Sequence, residues 1–172
     1  MPTLIKGRRV VADSWQLLER GPAGESPVVP ASGDMIVPLS LWLSHREHFL
    51  AYPSRLGVWL DSSERPESIA GGVERFPLVA VKFPQFADGR GYSIARLLRE
   101  RYRFKGELRA FGDVLLDHLY FLEQCGFDAF ALREDQDAQA ALSAFGAFSD
   151  GYQTSVLRPL PLFRRRTAAQ ER

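Results

Sequence analysis

The chain has 172 residues, 45% of them hydrophobic and 25% charged, which is enough for one domain with a substantial core. Its 22 basic and 21 acidic residues give a formal net charge of +1. No global field therefore draws it to nucleic acid or to an anionic membrane. The single cysteine, Cys125, excludes an intramolecular disulfide, a four-cysteine zinc site, an iron–sulfur cluster held by this chain alone and a CxxC redox pair.

Lone-cysteine usage fits a reducing compartment, and residues 1–9 contain no apolar stretch of signal-peptide length. No segment approaches the roughly 20 apolar residues of a membrane span. Cytoplasmic residence, with no membrane and no nucleic-acid partner, is the expectation.

Residues 1–34 read as an N-terminal arm packed on the body. It carries short strand candidates at Arg9 to Ala12 and Val28 to Val29, separated by the turn-rich Gly21-Pro22-Ala23-Gly24. Residues 35–150 form the α/β domain. Met35 to Leu39 is short and apolar, and Ser40 to Tyr52 has helical spacing at Leu43, Phe49 and Leu50. Short apolar runs then alternate with amphipathic segments. Strands are expected at Leu56 to Leu60, Leu78 to Phe83, Glu107 to Phe111 and Ala129 to Leu132. Helices are expected around Pro66 to Phe76, Ser93 to Phe104, Val114 to Cys125 and Asp135 to Phe148.

The alternation is that of parallel strands joined by right-handed crossover helices. Leu78 to Phe83 is nearly continuous in apolar residues, as suits a strand buried on both faces. The fold class is α/β: a mainly parallel open sheet or half-barrel, since a full eight-unit barrel needs roughly 200 or more residues. A half-barrel leaves room for a second copy, so a homodimer is one expected assembly. Residues 151–172 read as an extended C-terminal tail with a disordered end, and its Arg164-Arg165-Arg166 cluster reads as solubilising.

Local chemistry supports several boundaries. Gly106 and Gly126 are placed as C-cap glycines, and Asp113 and Asp135 as carboxylates capping the helices that follow them.

In parallel α/β folds, ligands collect at the carboxyl ends of the strands. The segment Asp88-Gly89-Arg90-Gly91-Tyr92-Ser93 occupies that position after the strand ending at Phe83. Its glycines permit positive φ, the helix start favours an anion, and Arg90 is placed to close over that anion with a forked contact. Arg96 lies in the first helical turn and completes the ligand-binding set, while Arg99 and Arg103 continue its face as a solvated stripe.

A lone G-x-G lacks the third glycine of a dinucleotide fingerprint. The expected ligand is accordingly a small anion or a nucleotide-like molecule, and no cofactor is identified. Lys82, near the end of its core strand, and Asp113, after the next strand, are the candidate catalytic acid and base. They qualify if one substrate pose lies within hydrogen-bond reach of both. His118 reads as a structural helix histidine, and His45 and His48 lack the further ligands of a metal site. Cys125, among Phe121, Leu122 and Phe127, reads as a buried and inert thiol.

The runs from Phe83 to Arg99, from Gly106 to Leu115 and from Cys125 to Phe130 together resemble a bacterial family, the domain-of-unknown-function 934 family, over about residues 35–135. Its members are often labelled probable oxidoreductases involved in sulfite reduction, through gene neighbourhood rather than chemistry. They commonly carry glutamine where this chain has His118. The resemblance implies an auxiliary protein of sulfur assimilation with sulfite reductase as a partner.

Two functions are therefore expected to compete. One is an accessory protein that recognises an oxyanion, a nucleotide-like ligand or the reductase through the Asp88–Ser93 loop. The other is an enzyme, either an oxidoreductase with a diffusible cofactor or a lyase or transferase using Lys82 and Asp113.

Overall fold

The computed structural model describes residues 3–21, 29–148 and 151–165. It contains eight strands: β1 (Thr3–Lys6), β2 (Arg9–Ala12), β3 (Gln16–Leu17), β4 (Met35–Pro38), β5 (Leu56–Leu60), β6 (Leu78–Phe83), β7 (Glu107–Gly112) and β8 (Ala129–Phe130). Between them run α1 (Leu39–Ser44), α2 (Arg46–Leu50), α3 (Arg90–Arg96) and α4 (Leu119–Gln124), with α5 (Ala138–Ala141) following β8.

All eight strands join one sheet in the order β2-β1-β8-β7-β6-β5-β4-β3. Neighbours from β3 to β8 are parallel, whereas β1 pairs antiparallel with both β8 and β2.

This order has two physical consequences. From β4 to β8 the strands are added sequentially, so right-handed crossovers put their connections on one face and leave no topological switch point. The two outermost strands, β2 and β3, are joined only by residues 13–15. Four Cα steps reach about 15 Å at most, whereas seven strand spacings in a flat sheet would require about 34 Å. The sheet is accordingly curled, and the molecule is a half-barrel.

Side-chain alternation divides the sheet into an outer and an inner face. Val37, Val58, Leu60, Val79, Val81, Phe83, Leu108, Ala110 and Phe130 point outward, to the core formed with the helices. A second cluster on the inner face comprises Ile36, Trp59, Leu78, Ala80 and Phe111. Both faces of β6 are therefore covered, and only Lys82 within it retains partial exposure.

On the inner face, Trp59, Ala80, Arg109 and Ala129 form one cross-strand row. Arg109 is 4% exposed and is held at 2.7 Å by both Asp13 and Glu107. Glu107 also takes Lys6 at 2.6 Å. The arm crosses this face: Trp15 packs on the inner cluster, and the Trp59 indole N–H donates to the Leu18 carbonyl at 2.9 Å. The chain's own arm thus covers the inner face of the curled sheet.

Several expected boundaries move. The helix expected at Ser40 to Tyr52 breaks at His45 (φ −126°, ψ 34°) into α1 and α2. Residues Pro66–Arg75 form a 3-10 segment interrupted at Gly71–Gly72. Gly106 does not cap the preceding helix. That helix widens into a π turn at Leu97–Arg101 and ends with Arg103 in the left-handed region (φ 55°). The Phe104 N–H closes the end on the Leu98 carbonyl at 2.9 Å.

Gly126 does cap its helix, with φ +104° and the Phe127 N–H on the Leu122 carbonyl at 3.2 Å, as in a Schellman motif. Neither Asp113 nor Asp135 caps a helix. Asp113 receives the Phe86 N–H, and Asp135 pairs with Arg133. The cap of α5 is Asp137, which accepts from the Gln139 and Ala140 N–H groups.

Of the Val28 to Val29 strand candidate, Val28 lies outside the described residues and Val29 is not in a strand. Residues 22–24 of the expected turn, Arg166 and the chain end also lie outside them. Among the described residues no helix is long and apolar enough to cross a membrane.

Arg99, expected on a solvated stripe, is instead 13% exposed. It donates to the carbonyls of Gly126, Phe104 and Gly106 at 2.8–2.9 Å and pairs with Asp128 at 2.9 Å. This one side chain joins the end of α3's π extension to the start of β7 and to the turn after α4.

Gly112, at the end of β7, has φ +99°, and a Cβ there would overlap the Phe83 carbonyl oxygen. Left-handed strain and the clash add, so Gly112→Ala should cost about 2–4 kcal/mol, read as a lower urea midpoint with an unchanged m-value.

Candidate functional site

The carboxyl ends of β5, β6, β7 and β8 bring four loops into one polar chain. In the loop after β6, the Asp88 carboxylate receives the Arg90 Nε at 2.9 Å, the Arg90 Nη2 at 2.7 Å and the Arg90 backbone N–H at 3.1 Å. Ser62, from the loop after β5, donates its hydroxyl to Asp88 at 2.6 Å and accepts from Arg90 Nη2 at 2.9 Å. The expected fork of Arg90 is real, but it closes on its neighbour Asp88.

Four donated hydrogen bonds, those from Arg90 foremost, hold the Asp88 carboxyl well below the usual carboxylate range. Such a carboxylate is a weak base, and the pair presents no net charge to an anion.

The glycines act differently from expectation. Gly89 has φ −81° and Gly91 is a helical residue of α3, so neither uses positive φ. Gly91 is required by contact instead: a Cβ there would come within 2.6 Å of the Phe83 ring.

A second polar unit follows β7. The Asp113 carboxylate receives the Phe86 N–H at 2.7 Å and Arg133 Nη1 at 2.7 Å, and Arg133 also grips Asp135 with two bonds of 2.7 and 2.8 Å. Lys82 belongs to the inner face, where its Nζ lies 5.4 Å from the centre of the Trp59 ring, with Arg20 also stacked on that ring at 4.9 Å. No hydrogen bond or ion pair among the described residues joins Lys82 to Asp113.

His118 is buried, stacked on Phe86 with ring centroids 4.5 Å apart. Its Nδ1 accepts the Leu115 N–H at 3.3 Å, which places the neutral ring's proton on Nε2.

Tyr92, Ser93 and Arg96 face elsewhere. They form one wall of a cleft of about 670 Å³ whose other walls are Tyr120, Phe121 and Gln124 of α4 and the returning tail at residues 151–155. The tail is held there by the Ser155 hydroxyl on Gln124 Oε1 at 2.8 Å and the Val156 N–H on the Gln124 carbonyl at 3.0 Å. Tyr92 and Phe121 meet edge to face with centroids 4.9 Å apart. Cys125 lines the same cleft, yet burial pushes its thiol up to about 11, as the inert-thiol reading expects.

Where α3 spans Arg90–Arg96, the sequence reading leaves Tyr92 in the loop, starts the helix at Ser93 and sets Arg96 in its first turn, all at the carboxyl edge. It missed Tyr120, Phe121 and the tail, whose approach depends on tertiary packing. Tail aromatics with no core partner in the sequence, such as Tyr152, were the available signal.

Two outcomes are expected from these arrangements. Gly91→Ala should lose about 1–2 kcal/mol, overpacking against Phe83 outweighing its helix propensity, while Gly89→Ala stays within about 1 kcal/mol of the native protein. Burial holds the His118 pKa below its ordinary value, against the opposing pull of Asp113 and Asp117. The neutral ring's stabilisation is then fully present above about pH 6.5 and is lost as pH falls through the folded-state value. Melting temperature should drop more steeply from pH 7 to pH 5 in the native protein than in His118→Gln.

Comparison with known proteins agrees with this geometry in extent. Residues 57–163 match the family described as "Bacterial protein of unknown function (DUF934)", a span that runs from β5 through both walls of the cleft and into the tail. No curated protein matches the chain. With more than half its length matched, the chain belongs to this bacterial family of unknown function.

Proposed function

We propose that this protein is an auxiliary binding protein of assimilatory sulfite reduction and that its recognition site is the cleft between α3, α4 and the tail. The role in sulfur assimilation rests on the family resemblance. The choice of binding over acid–base chemistry rests on one observation: the carboxylates at the strand ends are already satisfied, whereas Tyr92, Ser93 and Arg96 open on a cleft. Both Asp88 oxygens and both Asp113 oxygens accept hydrogen bonds from the chain itself. A general base needs accepting capacity within reach of the substrate proton, and the ion pair with Arg90 lowers the basicity of Asp88, while Asp113 is paired with Arg133.

The cleft falls in the size range of small-molecule sites, roughly 300–1,000 Å³, and combines apolar walls with a few polar groups. It also exposes aromatic surface: Phe121 is 50% and Tyr152 78% exposed. Clustered exposed aromatic area of this kind marks recognition surfaces.

The reading is tested by growth on sulfate as sole sulfur source, in a host strain lacking this protein and complemented with variants. Arg96→Ala and Phe121→Ala should slow growth, with normal growth restored by cysteine. Lys82→Met and Asp113→Asn should grow like the native strain if they accumulate normally. Growth lost with Lys82→Met and Asp113→Asn but retained with the cleft variants would reverse the assignment in favour of an enzyme.

A further inference from the structure

We infer that the ligand of the cleft is a mononucleotide: a planar heteroaromatic ring carrying a phosphate. This rests on the cleft being the recognition site and adds the chemical class of what it recognises.

The first argument is charge. Among the described residues lining the cleft, Arg96 is the one that is formally charged. Arg96 is 46% exposed and pairs with Glu100 at 3.1 Å, itself 49% exposed. That solvent-screened i,i+4 pair is weak, so an incoming phosphate can displace it and take the guanidinium fork.

The second argument is shape. The walls present Tyr92 from α3 and Tyr120 and Phe121 from α4, with Phe148 packed on Tyr120 at 5.0 Å between centroids. Exposed aromatic walls of this kind suit face or edge contact with a base. A purely aliphatic ligand would leave their quadrupoles unused.

The third argument is an unsatisfied polar atom. The Tyr120 hydroxyl is buried without a hydrogen-bond partner among the described residues, at the Gly151 side of the cleft. Buried hydroxyls are normally paired; this one is closed off beside Gly151, so a base or ribose edge would pair with it as the Gly151 segment yields. Arg96 also lines an adjoining recess of about 350 Å³ with Tyr152, Gln153, Thr154 and Phe163. The cation therefore stands between the two recesses, where a phosphate attached to a base in the larger one would reach it.

The test is calorimetric titration of the full chain with AMP, GMP, CMP, UMP and flavin mononucleotide, alongside adenosine and riboflavin. At least one nucleotide should bind with a Kd below 1 mM, its dephosphorylated counterpart at least tenfold more weakly. Arg96→Ala should weaken the nucleotide at least tenfold and leave the nucleoside or riboflavin unchanged. Phe121→Ala should weaken both, and Arg90→Ala neither. Arg96 and Phe121 are exposed, and circular dichroism with melting curves verifies that both variants fold.

Absence of binding by every nucleotide, or binding indifferent to Arg96→Ala and Phe121→Ala in folded protein, overturns the inference. If growth on sulfate still requires the cleft residues, only the ligand class falls and a partner's aromatic segment takes its place. If nucleotide binds while growth is indifferent to the cleft, the sulfur role falls and the ligand class stands.

Discussion

The short link at residues 13–15 governs this architecture. It ties the two outermost strands of an eight-stranded sheet, and a chain of that reach permits only a strongly curled sheet. Curling creates an inner face that must be filled, and the arm fills it. Arg109 then requires its carboxylates, because a buried guanidinium without them would carry several kcal/mol of unpaid desolvation. Asp13 comes from the link itself, so closure of the sheet and neutralisation of its buried cation are one event.

The outer face follows the opposite logic. Sequential strand addition places the crossover helices on it, where they bury a mostly apolar core. Arg99 is the polar exception: it satisfies three backbone carbonyls at a junction where the chain turns repeatedly. A π-widened helix end and a left-handed Arg103 accompany it. Net charge near zero conceals this use of arginine as a fastener, inside the molecule at Arg109 and Arg99 and at its surface at Arg133.

The carboxyl edge is ordered by its own polar pairs, and the proposed recognition cleft lies apart from it. Asp88, Arg90, Ser62, Asp113 and Arg133 satisfy one another, which stiffens the loops and leaves little for a ligand. The cleft against the tail has the reverse character, with aromatic rings exposed and one arginine lightly held. Ordered loops above the strands thus support the start of α3, which presents Tyr92 and Ser93 of its first turn and Arg96 of its last to the cleft.

What the sequence determined by itself was set by local physics. Apolar runs and turn residues marked β2, β5 and β6 to the residue, β7 to within one, and the alternation of strands and helices. Gly126 was legible as a cap, and Cys125 as a buried thiol. Only the tertiary structure decided where long side chains end. Arg90 turned to Asp88, Arg99 went inward and Asp113 reached Phe86, because flexible side chains with several candidate partners choose by proximity. The two-residue strand β3 is likewise invisible to periodicity, since pairing with a distant neighbour defines it, and β8 is read two residues too long. The cleft is of the same kind, for its walls come from segments some sixty residues apart that meet only when the tail folds back on α4.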